Sequence, residues 1–382
     1  MLTFNRMKLK IGILFLAGGI IWSCGGKGST AEPEPADETK DRKAVLTHLA
    51  DNIIIPAYAN FKPKLDGMVA KSQAFAAKPD VMTLVEFRQA WVEAYIEWQK
   101  VELFDVGPAN KTAIRNYYNI YPTSVVGINE YIADPSLNLE VASSYDKQGF
   151  PALDYLLNGV GATDTEIVTF YTSSVNGAKR LAYVKRITDH MNNLITKVIG
   201  DWNSSYRTDF TTKTGLDIGS PMGELVNGFV LHYERYIRSG KFGIPSGAML
   251  NGVVSAEKVE AFYKKDISKA LALAAHQAAI DFFNGKNVKT GASGPSFKTY
   301  LDGLGTKDSA TGKTLSEIIN EQFEVANKKM NSLKSNLYEE VKTNNTAMVQ
   351  VYTEMQKAVR MLKVDMTSAM SIVITYTDND GD

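Results

Sequence analysis

The segment Ile319-Asn-Glu-Gln-Phe323-Glu-Val-Ala326-Asn-Lys-Lys-Met330-Asn-Ser-Leu333-Lys-Ser-Asn-Leu337 decides the fold class. Its apolar residues recur at steps of four and three, so they share one face of a 3.6-residue helix. After a polar break at 343–345 a second series follows: Met348, Tyr352, Met355, Val359, Leu362, Met366, Ala369 and Val373. The pair predicts an antiparallel helical hairpin.

Outward from this hairpin the same period returns. Leu84, Phe87, Trp91, Tyr95 and Trp98 form a stripe that Gly107 and Pro108 bring to a stop. Ser220 and Pro221 read as an N-cap and first helical residue ahead of Leu225, Phe229, His232 and Tyr236. Long helices are also expected over 255–283 and over 164–202, the latter interrupted near Asn176 and Gly177. No proline falls between Pro151 and Pro221, between Pro245 and Pro295, or after Pro295. Proline-free stretches permit long helices, because an internal proline removes a backbone bond and clashes with the preceding turn. Period-two alternation is confined to 372–376. The expected class is therefore all-α, two helical bundles side by side. The threonine- and glycine-rich stretch 210–219 marks the expected boundary between a first bundle, 42–214, and a second, 215–382.

The N-terminus reads differently. Arg6, Lys8 and Lys10 precede an apolar run over 11–21, then Ser23 and Cys24. That order is a bacterial lipoprotein signal over 1–24, with the lipid carried by Cys24. The run is too short for a permanent span, which needs about 20 apolar residues. The competing reading makes Cys24 the last residue of an uncleaved anchor. Residues 25–41 carry prolines and acids but no large apolar side chain, a tether composition. These features place the protein in the bacterial cell envelope, lipid-anchored to the outer membrane. Cys24 is the one cysteine, so no internal disulfide can form and stability must come from core burial. About 358 residues follow Cys24, more than one core usually serves.

Charge excludes one class of partner. The chain has 42 Lys plus Arg and 42 Asp plus Glu, a net charge of zero, so nothing in it suggests nucleic acid. Zinc-protease histidine pairs, a phosphate loop ending in Gly-Lys-Ser/Thr and paired cysteines are all missing. His48, His190, His232 and His276 are scattered, and His232 reads as a satisfied core residue on its stripe. The stretch 243–247 holds Ser246 without the spacing of a nucleophile elbow and reads as a loop. The ending 378–382, Asp-Asn-Asp-Gly-Asp, has calcium-loop composition with its glycine displaced, and reads as a solvated acidic tail.

Carboxylates on apolar stripes carry more information, since an ionised acid belongs in a core only when paired, hydrogen-bonded or metal-bound. Glu102 continues the aromatic stripe four residues past Trp98. Asp365 lies between Met361 and Ser368. Glu260 heads the stripe of Tyr263, Ile267 and Leu271. Each is either a salt bridge or cap, or part of a binding site.

Several segments together resemble the imelysin family: Asn52-Ile-Ile-Ile-Pro-Ala-Tyr58, the Trp91 helix with Glu102 before Gly107-Pro108, Tyr121-Pro122, Val259-Glu-Ala-Phe-Tyr263, Leu362-Lys-Val-Asp-Met366 and the ending that starts at Ile374. The resemblance implies two helical bundles related by duplication, with a site in the groove between them, and a link to iron. It also implies a candidate metallopeptidase. The family signature Gly-x-His-x-x-Glu meets Gly149-Phe-Pro151-Ala-Leu-Asp154 here. Pro151 has no ligating or proton-moving group, and it suits a first helical turn. Asp154 and Glu102 remain as metal-ligand candidates, with Glu260 and Asp365 as partners from the second half; oxygen donors would take a hard cation such as iron. Three readings follow: a lipoprotein that binds iron or an iron-linked ligand and serves iron-uptake proteins, a metallopeptidase with a degenerate motif, and a protein-binding envelope scaffold.

Overall fold

A computed structural model of the chain describes residues 38–173 and 175–377. The lipoprotein signal with Cys24, the tether up to residue 37 and the acidic ending 378–382 lie outside the described residues. Helix α1 (Glu38–Leu49) takes in the last four residues of the expected tether. A π-helical turn, Ala50–Ile54, joins it to α2 (Ile55–Ala77), whose early residue Pro56 needs no partner for the N–H it lacks. Next come α3 (Val81–Trp98), α4 (Gly149–Asp154), α5 (Asp164–Thr172) and α6 (Gly177–Asp201). The interruption expected near Asn176 and Gly177 is there, and Thr163 and Glu166 cap the start of α5 reciprocally.

Irregular chain separates Thr212 from α7 (Pro221–Leu231), where the Ser220 side chain accepts from Gly223 N as the N-cap reading requires. Helix α7 continues into a twelve-residue π-helical stretch, His232–Gly243, and 243–247 is not a plain loop, because Ile244–Ser246 adds a helical turn ended by Gly247. The second half then has α8 (Ser268–Phe283), α9 (Leu315–Asn331) and α10 (Leu337–Arg360). The hairpin of the opening segment is α9 and α10.

Three expectations change. The hairpin turns at 332–336, not at 343–345, because Asn336 caps α10 by accepting from Glu339 N. Asn344 is instead a kink inside α10, at φ −153°, ψ 53°. The long helix expected over 255–283 is only Ser268–Phe283, after a short 3-10 turn, Ala256–Lys258. Positive φ at Ala261 and Lys265 breaks the segment between them. Lastly, 372–376 forms no strand. Its Val373 carbonyl and Thr375 N–H bond to the amide side chain of Asn227, in place of a neighbouring strand. Among the described residues β-structure is limited to two isolated bridges, so the class is all-α.

One continuous apolar core runs from Val45 to Ile372. The described residues from Glu38 onward form one compact unit, and bonds such as His48 Nε2 with Gly285 O (2.8 Å) and Val288 N with Asn52 O (3.0 Å) tie early elements to late ones. Close to the site the core is aromatic: Tyr95 stacks on Phe150 at 4.5 Å, and Trp98 meets Tyr118 at 4.4 Å. Among the described residues no helix is long and apolar enough to cross a membrane.

Candidate functional site

The end of α3 delivers Tyr95 and Gln99 to the interior, and the turn after it delivers Glu102, whose N–H bonds back to Trp98 O. Asn119 ends the short helix Ile114–Tyr118, Lys241 comes from the π-helical stretch and Glu260 from the irregular segment before α8. All six side chains are buried, none more than 4 % exposed. Asn119 Nδ2 donates to Glu102 Oε1 at 3.1 Å and to Glu260 Oε1 at 2.9 Å, so one amide bridges the two acids. Tyr95 OH lies 2.6 Å from Asn119 Oδ1 and 3.0 Å from Glu260 Oε1. Gln99 donates to Glu260 Oε1 at 3.2 Å and accepts from Lys241 Nζ at 2.7 Å. The Lys241 ammonium also donates to Glu260 Oε2.

Electrostatics follows from burial. Loss of water raises the Glu102 carboxyl above the ordinary range; Lys241 and Arg115 oppose this and Glu260 adds to it. Burial, with both acids nearby, lifts the Tyr121 phenol well above its ordinary value. Arg115 donates to Glu102 O at 3.1 Å, faces Asp105 at 3.2 Å and lies 4.1 Å over the Tyr236 ring. His232 occupies the core position its spacing implies. Yet neither ring nitrogen has a hydrogen-bond partner among the described residues, and burial, followed by Arg115 and Lys241, pushes its pKa well below the ordinary value.

Tyr121 also lines a cleft of about 210 Å³, together with Pro151, Asp154, Glu257, Val259 and Tyr263. Glu260 therefore lies in the chain between two cleft residues, Val259 and Ala261. Pro151 sits in the first turn of α4, as its chemistry suggests. Gly149 has φ +76°, and a Cβ there would stand 2.3 Å from Tyr118 O, so only glycine lets α4 start against that carbonyl.

Asp154 is not beside Glu102. Its carboxylate accepts from Tyr263 N at 2.8 Å and Lys264 N at 2.9 Å, and Asn158 donates to it at 3.2 Å. Taking up those two donors is what holds 259–267 out of the helix expected there. Burial outweighs the three hydrogen bonds and pushes Asp154 up to about 7. Asp365 is elsewhere again, 37 % exposed and 3.9 Å from Arg360. Of the acids singled out in the sequence, the fold brings together Glu102 and Glu260 alone.

That arrangement does not fit an ion held by the protein by itself. Hard cations take six or more oxygen ligands. Among the described residues no three His, Cys, Asp or Glu side chains gather at ligating positions, and Lys241 already supplies the positive charge beside Glu260. Sequence reasoning missed Gln99, Asn119 and Lys241. Gln99, next to Trp98 on a buried stripe, was the one with a visible signal.

The Imelysin family profile matches residues 54–366. The curated relative iron-regulated protein A of Synechococcus elongatus is 25 % identical over 107 residues, which span 28 % of this chain and 29 % of the relative. Among solved structures, an imelysin-like protein from Psychrobacter arcticum 273-4 is 18 % identical with a TM-score of 0.66, covering 88 % of this chain and 98 % of its own. A protein described as an iron-regulated protein A precursor, from Parabacteroides distasonis, is 16 % identical with a TM-score of 0.68, covering 89 % and 97 %. A profile match over most of the chain, on a fold shared nearly end to end with these structures, establishes that the chain belongs to the imelysin family.

Proposed function

We propose that this protein is an envelope lipoprotein, held at the outer membrane by a lipid on Cys24, that binds chelated iron at the Tyr121–Pro151–Tyr263 cleft and serves iron-uptake proteins. The observation that carries the reading is the buried pair Glu102 and Glu260, drawn from distant parts of the chain and bridged by Asn119, with Glu260 set in the chain between the cleft residues Val259 and Ala261. Burying two carboxylates is costly unless the arrangement has a use, and a carboxyl raised by burial, as Glu102 is, marks a candidate binding site. The names of the relatives supply the association with iron. Chelated iron fits better than the free ion, because two acids and an ammonium leave most of a cation's coordination to the ligand itself.

Peptide cleavage is the weaker reading of the same cleft. Pro151 stands where the family signature has histidine, and a proline side chain neither ligates a metal nor moves a proton.

Calorimetric titration of the protein with ferric citrate, against citrate alone, tests the proposal. Saturable binding is expected for the iron complex, weakened about tenfold by Glu102→Gln, which is about 1.4 kcal/mol. Equal heats for the two titrants, or an unchanged affinity in the variant, would overturn it.

A further inference from the structure

The cleft is lined by Asp154 and Glu257 and by no basic side chain. An anionic ligand meets only like charge there, so any attraction for it has to come from the rim.

One group of side chains on the rim supplies that attraction. Phe262 lines the cleft, and its ring meets the ring of Tyr338, the second residue of α10, edge-on at 5.6 Å. The Lys265 ammonium lies 4.6 Å from the centre of the Tyr338 ring and 5.6 Å from that of Phe262. Lys342 follows Tyr338 by one helical turn, and its ammonium lies 5.1 Å from the centre of the same ring. Two cations therefore share one aromatic ring, whose face attracts both and restrains their flexible stems.

Neither ammonium is neutralised. Among the described residues, Lys265 and Lys342 form no ion pair. Asp266 is taken by Lys264 at 2.9 Å. Glu340 is buried and accepts from Lys334 N and Asn344 Nδ2, while Glu339, three residues before Lys342, makes no ion pair with it. Like charges held on one ring repel each other, and an anion placed against both removes that repulsion. The pair is also accessible, since Lys342 is exposed and Lys265 half-buried. Lys265 keeps its place at φ +61°, a left-handed conformation that favours glycine, and strain of this kind collects at binding sites.

We propose that Lys265 and Lys342, carried on Tyr338, form an anion-binding rim beside the cleft that takes the outer carboxylates of the ligand and so selects an anionic, polycarboxylate iron chelate. The inference rests on the reading of the cleft as a chelated-iron site. A carboxylate oxygen accepts from an ammonium in a charge-assisted bond, whereas a neutral chelate offers the two lysines nothing comparable.

Calorimetric titration of the full chain with ferric citrate, which is anionic, and ferric trimaltolate, which is neutral, tests this at low and high sodium chloride. The parent should bind ferric citrate more tightly than the neutral chelate, and salt should weaken ferric citrate alone. The double variant Lys265→Gln/Lys342→Gln should lose about tenfold in affinity for ferric citrate, the size expected of two exposed ion pairs, and keep its affinity for the neutral chelate. Lys265→Arg/Lys342→Arg retains both charges and should retain binding. Should thermal melting show that the glutamine variant is unfolded, the salt dependence of the parent decides. Unchanged ferric citrate affinity in the folded glutamine variant, an equal loss for both chelates, salt-insensitive binding, or tighter binding of the neutral chelate would overturn the inference and leave the cleft reading standing. A parent chain that binds neither chelate would overturn the cleft reading and this inference together.

Discussion

Asp154 shows how a single residue can be legible in type and misread in role. Its match to the family signature marked it as a metal-ligand candidate, and it is buried. Its oxygens, however, are taken by the Tyr263 and Lys264 backbone, which no spacing rule announces because the donors come from a distant segment. Glu102 and Glu260 were legible for a better reason, since a carboxylate on an apolar stripe must find a partner. Lys241 was not, because Ser239, Gly240 and Gly243 around it suggest a loop, whereas a π-helical stretch turns it inward. The raised Asp154 pKa has a consequence for stability. Against an ordinary value of 3.8, a folded value of about 7 means that the native state holds the proton more tightly than the unfolded chain. Its contribution is fully present below the ordinary value and is lost as pH rises through about 7, with a slope approaching about 1.4 kcal/mol per pH unit. Asp154→Asn removes the titration, so urea midpoints measured from pH 5 to pH 8 should fall less steeply in the variant than in the parent. Parallel curves would show that Asp154 does not titrate in this window.

At the scale of elements, the helices were readable wherever a 3.6 period ran for several turns, as in α3, α6, α9 and α10. Their ends were less so. The turn of the hairpin was displaced because Thr343, Asn344 and Asn345 look like a breaker, while the cap that decides the matter is the single side chain of Asn336. The segment before α8 was misread because apolar spacing at 263, 267 and 271 suits a helix equally well, and only the tertiary bonds to Asp154 prevent one. The extended 372–377 is held similarly, by side chains of other elements, with Asn227 at its centre. Asn227 donates to Val373 O at 3.0 Å and accepts from Thr375 N at 2.8 Å, while Tyr376 OH reaches Glu234 at 2.7 Å. Asn227→Ala should therefore release this segment alone, at a cost of about 1–3 kcal/mol for the lost buried bonds. Hydrogen exchange should accelerate at Thr375 and its neighbours while α9 and α10 keep their protection; unchanged exchange there would mean that the clamp lies elsewhere.

For the whole molecule, the buried acids matter because of where they come from. Tyr95, Gln99, Glu102 and Asn119 belong to the first third of the chain, and Lys241 and Glu260 to the remainder, so the network exists only when both parts are folded together. Removing one partner from such a set leaves an uncompensated buried charge, which is strongly destabilising. A continuous core can be built from apolar residues alone; the retention of this network beside a cleft is the reason to read it as a site. The most direct test is an anomalous difference map, collected at the iron edge, from crystals soaked in ferric citrate. A peak in or at the mouth of the cleft bounded by Tyr121, Pro151 and Tyr263, next to Glu260, is the predicted result. A map without a peak there, or with iron only at exposed surface carboxylates, would contradict the account.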